Sequence, residues 1–222
     1  MKDKQATLFG ATGLIGSYLL KIILEDDYFS KVIVVTRKPV LKSHPKMEVL
    51  EIDFSDQKAI HRTIKNSAVV FSAIGTTQAH VRGDKEVYRS IDFGITYGIA
   101  LACKKEGIDQ FIFVSSSGAD PTSTNFYISL KGEIDEAILN LKLASALIFR
   151  PSLLLGRRNE FRFGERIAQL IMPLLSFLMP PKYRPVKAMR VAALMVNASK
   201  WKTLGNRIIE NQEMFQKRIR FE

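Results

Sequence analysis

The sequence predicts an α/β protein with a doubly wound parallel sheet and a small C-terminal lobe, and three observations predict it. Short β-rich runs alternate with helix-length segments over about the first 150 residues, the pattern of strands joined by crossover helices. Several of these runs are apolar throughout, Val32-Ile33-Val34-Val35 among them, as strands covered on both faces must be. The first run ends in three closely spaced glycines directly before a helical segment, a turn built for close backbone approach.

In chain order the predicted strands are Gln5 to Phe9, Lys31 to Thr36, Met47 to Ile52, Ala68 to Ala73, Gln110 to Ser115 and Ser145 to Arg150. Helical patterns lie between them at Leu14 to Glu25, Gln57 to Lys65, Asp84 to Glu106 and Asn125 to Leu141, with Asn66 and Gly107 standing where helix-ending residues belong. Beyond Arg150 the alternation weakens, and prolines at 151, 173, 180, 181 and 185 punctuate long apolar stretches, where a substrate lobe would be built. Val186 to Ala198 reads as an amphipathic helix and Asn206 to Glu210 as a late strand. The expectation is one nucleotide-binding domain over residues 1–222, with a substrate or lid lobe contributed by about 151–205.

Composition excludes several classes. Apolar residues at 46% and charged residues at 25% leave no case for disorder. The single cysteine, Cys103, has no partner for an internal disulfide and reads as a buried, inert thiol. Met1-Lys2-Asp3-Lys4 leads straight into the first strand without the apolar run of a secretory signal, so a cytoplasmic protein is expected. His44, His61 and His80 are too scattered to make a metal site, and no metal is expected. The net charge of +11 is localised: residues 142–207 hold thirteen Lys or Arg against Glu160 and Glu165, while the rest balances. No nucleic-acid-binding motif accompanies this charge, so an anionic small-molecule substrate or a solvated basic face is expected rather than nucleic acid. Ile167 to Met179 is the most apolar stretch, but it is too short to span a bilayer and contains Pro173. It reads as a helix on the lobe or a lid, with weak membrane-surface contact as the minority reading. Nothing decides the oligomeric state.

The glycine turn carries the cofactor reading. Gly10-Ala11-Thr12-Gly13-Leu14-Ile15-Gly16 joins the first strand to the first helix, the context in which backbone amides and a helix N-terminus hold a pyrophosphate in a Rossmann-type fold. The second strand ends in Thr36-Arg37-Lys38, with no carboxylate to accept a ribose hydroxyl and a guanidinium suited to a 2′-phosphate, which favours NADP(H) over NAD(H). Asp53-Phe54 follows the third strand, where a short acid could receive the adenine amino group, and Ala73-Ile74-Gly75-Thr76-Thr77 follows the fourth, where small residues admit the middle of the cofactor.

Tyr127 and Lys131 are four apart in a helical segment and share one face. Ser115-Ser116-Ser117 closes the fifth strand at the carboxyl edge, so a phenol, an ammonium and a hydroxyl are available for proton transfer coupled to hydride transfer. These motifs together with Arg150-Pro151 resemble the short-chain dehydrogenase/reductase superfamily in its atypical or extended branch. More narrowly, Ile74-Gly75-Thr76-Thr77, Ser115 to Asp120, Asn125 to Glu133 and Phe149-Arg150-Pro151 are similar to the oxidoreductase-like proteins related to the human HIV Tat-interacting metastasis suppressor. The resemblance implies NADP binding along the strand ends and Tyr127 as general acid/base. It also implies Lys131 bridging the nicotinamide ribose and Tyr127, Ser116 or Ser117 orienting substrate, and the Pro151 to Leu153 backbone facing the nicotinamide amide. The reading is an NADPH-dependent oxidoreductase acting on a carbonyl, hydroxyl or sugar-like substrate, with Arg157, Arg158 and Arg162 placed to meet a carboxylate or phosphate. The alternative is an NADP(H)-sensing regulatory protein without significant turnover.

Overall fold

The computed structural model describes residues 4–38, 43–156, 180–201 and 204–216. The predicted lid at Ile167 to Met179 and the arginines 157, 158 and 162 lie outside the described residues. The elements are β1 Gln5–Phe9, α1 Leu14–Glu25, β2 Lys31–Thr36, β3 Met47–Glu51, α2 Gln57–Ile64, β4 Ser67–Ser72, α3 Lys85–Arg89, a π-helical segment Ser90–Ile95, α4 Thr96–Glu106, β5 Gln110–Val114, α5 Phe126–Asn140, β6 Ser145–Arg150, β7 Leu154–Leu155, β8 Val186–Lys187, α6 Ala188–Ser199 and β9 Gly205–Glu210. Seven strands pair in parallel in the order β3-β2-β1-β4-β5-β6-β9, and β7 pairs with β8 in a separate two-stranded ribbon.

Continuous apolar strands are what a sheet covered on both faces requires, and the packing shows it residue by residue. Leu8, Val32, Val34, Phe71 and Ile112 face a layer formed with Leu19 and Ile23 of α1 and Val191 and Met195 of α6. Their strand neighbours Phe9, Ile33, Val35, Val70, Phe111 and Phe113 face the opposite layer, with Ile60 of α2, Ile99 of α4 and Leu130 and Ile134 of α5. Each fully buried side chain of this size contributes about 1.5–3 kcal/mol of transfer free energy. A one-residue slip in any strand would exchange the two sets.

The boundaries of the predicted strands differ from the sequence reading by a residue at most, but β7 was not foreseen, and Val186 and Lys187 leave the predicted helix to form β8. The segment Asp84 to Glu106, read as one helix, is interrupted: Asp84 caps α3 by accepting from the Glu86 and Val87 N–H groups, and the turn from Ser90 to Ile95 widens to π geometry before α4 resumes. Gly107 ends α4 at φ +65° and Asn66 follows α2 at φ +63°, the left-handed conformations their positions called for. Cys103 is buried in the core, and burial pushes its thiol well above the ordinary range, so it is inert.

Asn211 follows β9 and was not singled out from the sequence. Its fully buried side chain accepts from the Ser152 N–H at 2.9 Å and donates to the carbonyls of Pro181 and Arg184 at 2.8 and 2.9 Å, while the Ser152 hydroxyl donates to the same Arg184 carbonyl at 2.7 Å. One amide thus joins the end of β9, the segment after β6 and the segment before β8. Replacing Asn211 by Ala strands the Ser152 N–H and the Pro181 carbonyl, while the Arg184 carbonyl keeps only the Ser152 hydroxyl. The expected loss is about 2–3 kcal/mol, a fall in Tm of roughly 5–10 °C by scanning calorimetry. A change within about 1 °C would show that water substitutes for the amide.

Candidate active site

The strand order reverses between β1 and β4, and the crevice this leaves at their carboxyl ends is where doubly wound sheets take ligands. The turn after β1 and the segment Ala73 to Thr77 after β4 meet there. Gly10 holds φ +82°, and a Cβ on it would lie 2.7 Å from the carbonyl carbon and oxygen of Ala73. A Cβ on Gly16 would lie 1.9 Å from the Gly10 carbonyl oxygen, so α1 packs against the turn at a distance only glycine permits. Gly13 donates its N–H to Gly10 O at 3.0 Å and stands at the N-cap of α1. Asp56, Asp84 and Asn125 cap α2, α3 and α5 with side-chain acceptors, but Gly13 has none to offer α1. The first-turn amides of α1 remain available to an anion, so the cradle fits a dinucleotide pyrophosphate. Thr12 is exposed and Leu14 half-buried, whereas the Ile15 side chain is in the core and only its main chain can face a ligand.

The other predicted cofactor positions line the same edge. Arg37 and Lys38 are exposed just beyond β2, in a turn where the Thr36 hydroxyl donates to the Lys38 carbonyl at 2.9 Å. Asp53 is exposed, and the backbone and side chain of Ser55 hold its carboxyl below the usual range. Phe54 packs on Phe9, with ring centroids 6.1 Å apart. Ala73, Ile74, Thr76 and Thr77 are half-buried and Gly75 is exposed. After β6, Pro151 is buried and takes the Ser117 N–H on its carbonyl at 2.9 Å, leaving Leu153 exposed.

Tyr127 and Lys131 sit one turn apart at the start of α5, whose N-cap is Asn125. The Lys131 ammonium lies 5.9 Å from the Tyr127 ring centroid and 2.7 Å from Asp92 Oδ2, with the two charged side chains only 8% and 1% exposed. Burial, the largest single effect, pulls Lys131 toward its neutral form, but Asp92, Tyr127 and Asp135 together outweigh it, and its pKa stands above the ordinary lysine value. Asp92 Oδ1 accepts the Thr76 N–H at 2.8 Å, and the Tyr88 hydroxyl donates to the Thr76 carbonyl at 3.1 Å. Tyr88 meets Tyr127 edge-on at 6.4 Å, and burial, then Asp92 and Tyr127, raise its own phenol pKa.

The three serines are distinguishable. Ser115 is buried beside Asp135, whose carboxylate pairs with Arg150 at 2.8 Å. The Ser117 hydroxyl donates to the Lys182 carbonyl at 3.3 Å. Ser116 is half-buried, and its hydroxyl reaches only the Ser117 carbonyl at the outer limit of 3.5 Å. Of the two candidates from the sequence, Ser116 is therefore the one with a hydroxyl to spare.

Gly132 is a site residue the sequence reading missed. A Cβ there would lie 2.1 Å from Pro121 N and 2.3 Å from the Asp120 carbonyl carbon. The Asp120 N–H donates to Ile128 O at 3.2 Å and the Ser129 hydroxyl to Pro121 O at 3.1 Å, so the chain after the serines is strapped to the turn of α5 that carries Tyr127 and Lys131. A glycine inside an otherwise good helical pattern was the available signal. Among the described residues, no group of three or more His, Cys, Asp or Glu could hold a metal ion, and no helix is long and apolar enough to cross a membrane.

Comparison with known proteins follows this geometry. The NAD(P)H-binding family model matches residues 10–153. The FMP52 protein of Debaryomyces hansenii, named as mitochondrial, is 38% identical over 156 residues, 70% of this chain and 69% of its own. A mitochondrial FMP52 protein of Scheffersomyces stipitis is 32% identical over 200 residues, 87% of each chain. The fold is shared with a UDP-N-acetylglucosamine 4-epimerase from Methanobrevibacter ruminantium solved with UDP-N-acetylmuramic acid, at TM-score 0.72 and 18% identity over 95% of this chain and 77% of that one. It is shared also with uronate dehydrogenase from Agrobacterium tumefaciens, at TM-score 0.69 and 14% identity over 94% and 76%. The mitochondrial relatives overturn the cytoplasmic expectation, which rested on the lack of a secretory signal. That lack speaks to secretion alone, since organelle targeting uses segments of a different, basic and amphipathic kind.

Gly132→Ala is expected to drive α5 off the 118–121 segment, lowering stability by about 1–3 kcal/mol and shifting the Tyr127 ring resonances in NMR spectra. Unchanged stability and unchanged Tyr127 signals would show that the strap is not what places the helix.

Proposed function

This chain belongs to the NAD(P)H-binding family, in company with the mitochondrial FMP52 proteins and with a short-chain dehydrogenase/reductase fold, and from that premise we propose that it is a mitochondrial NADPH-dependent oxidoreductase. Its substrate is a carbonyl or hydroxyl compound bearing an anionic group. The observation that carries the reading is a charged lysine buried one helical turn from Tyr127 at the carboxyl edge of the nucleotide-binding sheet. Burying an ammonium is expensive, and holding a dinucleotide by its phosphates does not call for one at this place.

When bound, the nicotinamide supplies or accepts the hydride. In the reducing direction the Tyr127 hydroxyl gives its proton to the carbonyl oxygen, and the Ser116 hydroxyl donates a hydrogen bond to the same oxygen. The Lys131 ammonium faces the phenol and the cofactor ribose, favouring the phenolate that proton transfer leaves behind. The α1 amides between Leu14 and Gly16 take the pyrophosphate, Arg37 and Lys38 the 2′-phosphate, Asp53 and Phe54 the adenine end, Ala73 to Thr77 the middle of the cofactor, and the Pro151 to Leu153 backbone the nicotinamide amide. Arg37 supports NADPH over NADH because the end of β2 presents two cations and no carboxylate. The anionic substrate is supported by Lys182, whose carbonyl receives the Ser117 hydroxyl and so brings the basic segment from Lys182 to Arg190 up to the serine edge.

Calorimetric titration with NADPH, NADP, NADH and NAD tests the cofactor half. Arg37→Ala is expected to weaken NADPH binding at least about tenfold and leave NADH binding unchanged, since only the 2′-phosphate contact is lost. Turnover on a panel of carboxylated and phosphorylated carbonyl compounds tests the rest, with Tyr127→Phe expected to lower NADPH oxidation about 10²–10⁴-fold at constant cofactor affinity. Equal NADPH oxidation by wild type and Tyr127→Phe would remove Tyr127 from the chemistry. Tight NADPH binding with no turnover on any compound would favour the cofactor-sensing reading.

A further inference from the structure

Beyond β6 the chain comes to the serine edge twice, and both passes are fastened there. The Pro151 carbonyl accepts the Ser117 N–H at 2.9 Å, and two residues further on the Leu153 carbonyl accepts the Val186 N–H, also at 2.9 Å. The Ser117 hydroxyl donates to the Lys182 carbonyl at 3.3 Å, and the Tyr183 N–H closes a turn on the Pro180 carbonyl at 2.9 Å. Pro181 presets that turn, so the backbone that presents Tyr183 has little freedom. Leu153 and Tyr183 stand on these two fastened segments, 48% and 54% exposed. A lone exposed apolar side chain needs no explanation, but two on neighbouring rigid segments beside the candidate serines form a surface.

The hydrogen-bonding side chains around these segments are already committed to main chain. Ser117 serves Lys182, Ser152 donates to the Arg184 carbonyl at 2.7 Å, and Asn211 holds the Ser152 N–H and the carbonyls of Pro181 and Arg184. Arg184 lays its guanidinium 5.6 Å from the Phe215 ring centroid. What faces a ligand is Leu153, Tyr183 and the Lys182 ammonium, which lies 5.6 Å from the Tyr183 ring centroid and has no acidic partner among the described residues. A site for a polyhydroxylated substrate needs free donors and acceptors for the hydroxyls it desolvates, and this wall offers the Tyr183 phenol alone. Its main resource is flat apolar area with a cation at the margin. We propose that the substrate is an amphiphilic carbonyl acid rather than a sugar, its aryl or unsaturated body lying on Tyr183 and Leu153 and its carboxylate at Lys182. The proposal rests on the reading of the serine edge as the place where the carbonyl is reduced.

The test is calorimetric titration of the full chain, with NADPH present, using three unreactive probes: cinnamate, its neutral amide cinnamamide, and gluconate, a polyhydroxy acid of the same charge. Cinnamate is expected to bind at least about tenfold more tightly than gluconate. Tyr183→Ala is expected to weaken cinnamate at least about fivefold, while Tyr183→Phe, which keeps the ring, stays within about twofold of wild type. Lys182→Gln is expected to weaken cinnamate about threefold and leave cinnamamide unchanged. Both substitutions fall at exposed positions, so each variant should keep the wild-type Tm to within about 2 °C. Gluconate bound as tightly as cinnamate, cinnamate bound equally by wild type and Tyr183→Ala, or no binding of any probe would each overturn the proposal. Turnover separates it from the reading on which it rests. NADPH-dependent reduction of para-carboxybenzaldehyde is expected to exceed that of glucuronate at least about tenfold in kcat/KM, with the Tyr183→Ala loss appearing in KM. Glucuronate reduced equally well would again overturn it. Tyr183-dependent cinnamate binding without turnover of either aldehyde would sink the oxidoreductase reading and leave the amphiphilic-acid site standing.

Discussion

Around the carbonyl of Gly10 there is no room for side chains. It accepts the Gly13 N–H, a Cβ on Gly16 would lie far inside van der Waals contact with it, and Gly10 itself is pressed against the main chain of Ala73. This crowding brings β1, α1 and the end of β4 into contact at one point, and the rest of the architecture is arranged about it. With β1 and β4 adjacent and the chain running away from them in opposite directions, the two helical layers separate cleanly: α1 and α6 on one face, α2, α4 and α5 on the other. The same crowding leaves the start of α1 without a capping side chain, so the fold's tightest contact and its anion-binding surface arise from a single requirement for backbone without Cβ.

A second layer of organisation is electrostatic. Beneath the carboxyl edge of an apolar sheet lie Asp92, Lys131, Asp135 and Arg150, all at least largely buried, with Glu210 closing the chain of charges at the surface end. Burial raises the Asp135 pKa, while Ser115, Arg150 and Lys131 draw it back, and the net displacement is upward. Apolar side chains would fill this volume at less expense. The charges instead tie together the segment after β4, the π segment, α5, β6 and β9, elements around the sheet edge.

The sheet was largely legible because the relevant signals are local. A strand covered on both faces reads as an unbroken apolar run, and a glycine triplet between such a run and a helix reads as a nucleotide turn. The pairing of Tyr127 with Lys131 was legible for the same reason, being a matter of helical spacing. What escaped was non-local. Gly132 is demanded by the main chain of Asp120 and Pro121, and Asn211 by carbonyls some thirty residues back in the chain. The π turn was invisible because its residues have ordinary helical preferences and only tertiary contact widens it. Location in the cell was misread because the absence of one address was taken for the absence of any.

The ribbon of β7 and β8 bears on how this protein can change. Leu154 pairs with Val186 and Leu155 with Lys187, and Asn211 ties the two neighbouring segments together from behind. The pairing brings Leu154–Leu155 and Val186–Lys187 side by side, so the chain that joins them is an excursion that leaves and returns at one neck. Lengthening or shortening such an excursion alters closure entropy only logarithmically, by roughly 0.6 kcal/mol per doubling. Descent with modification can thus rewrite this stretch, insertions and deletions included, without renegotiating the dinucleotide cradle. A chimera that exchanges the stretch between two relatives at that neck would keep one parent's sheet intact.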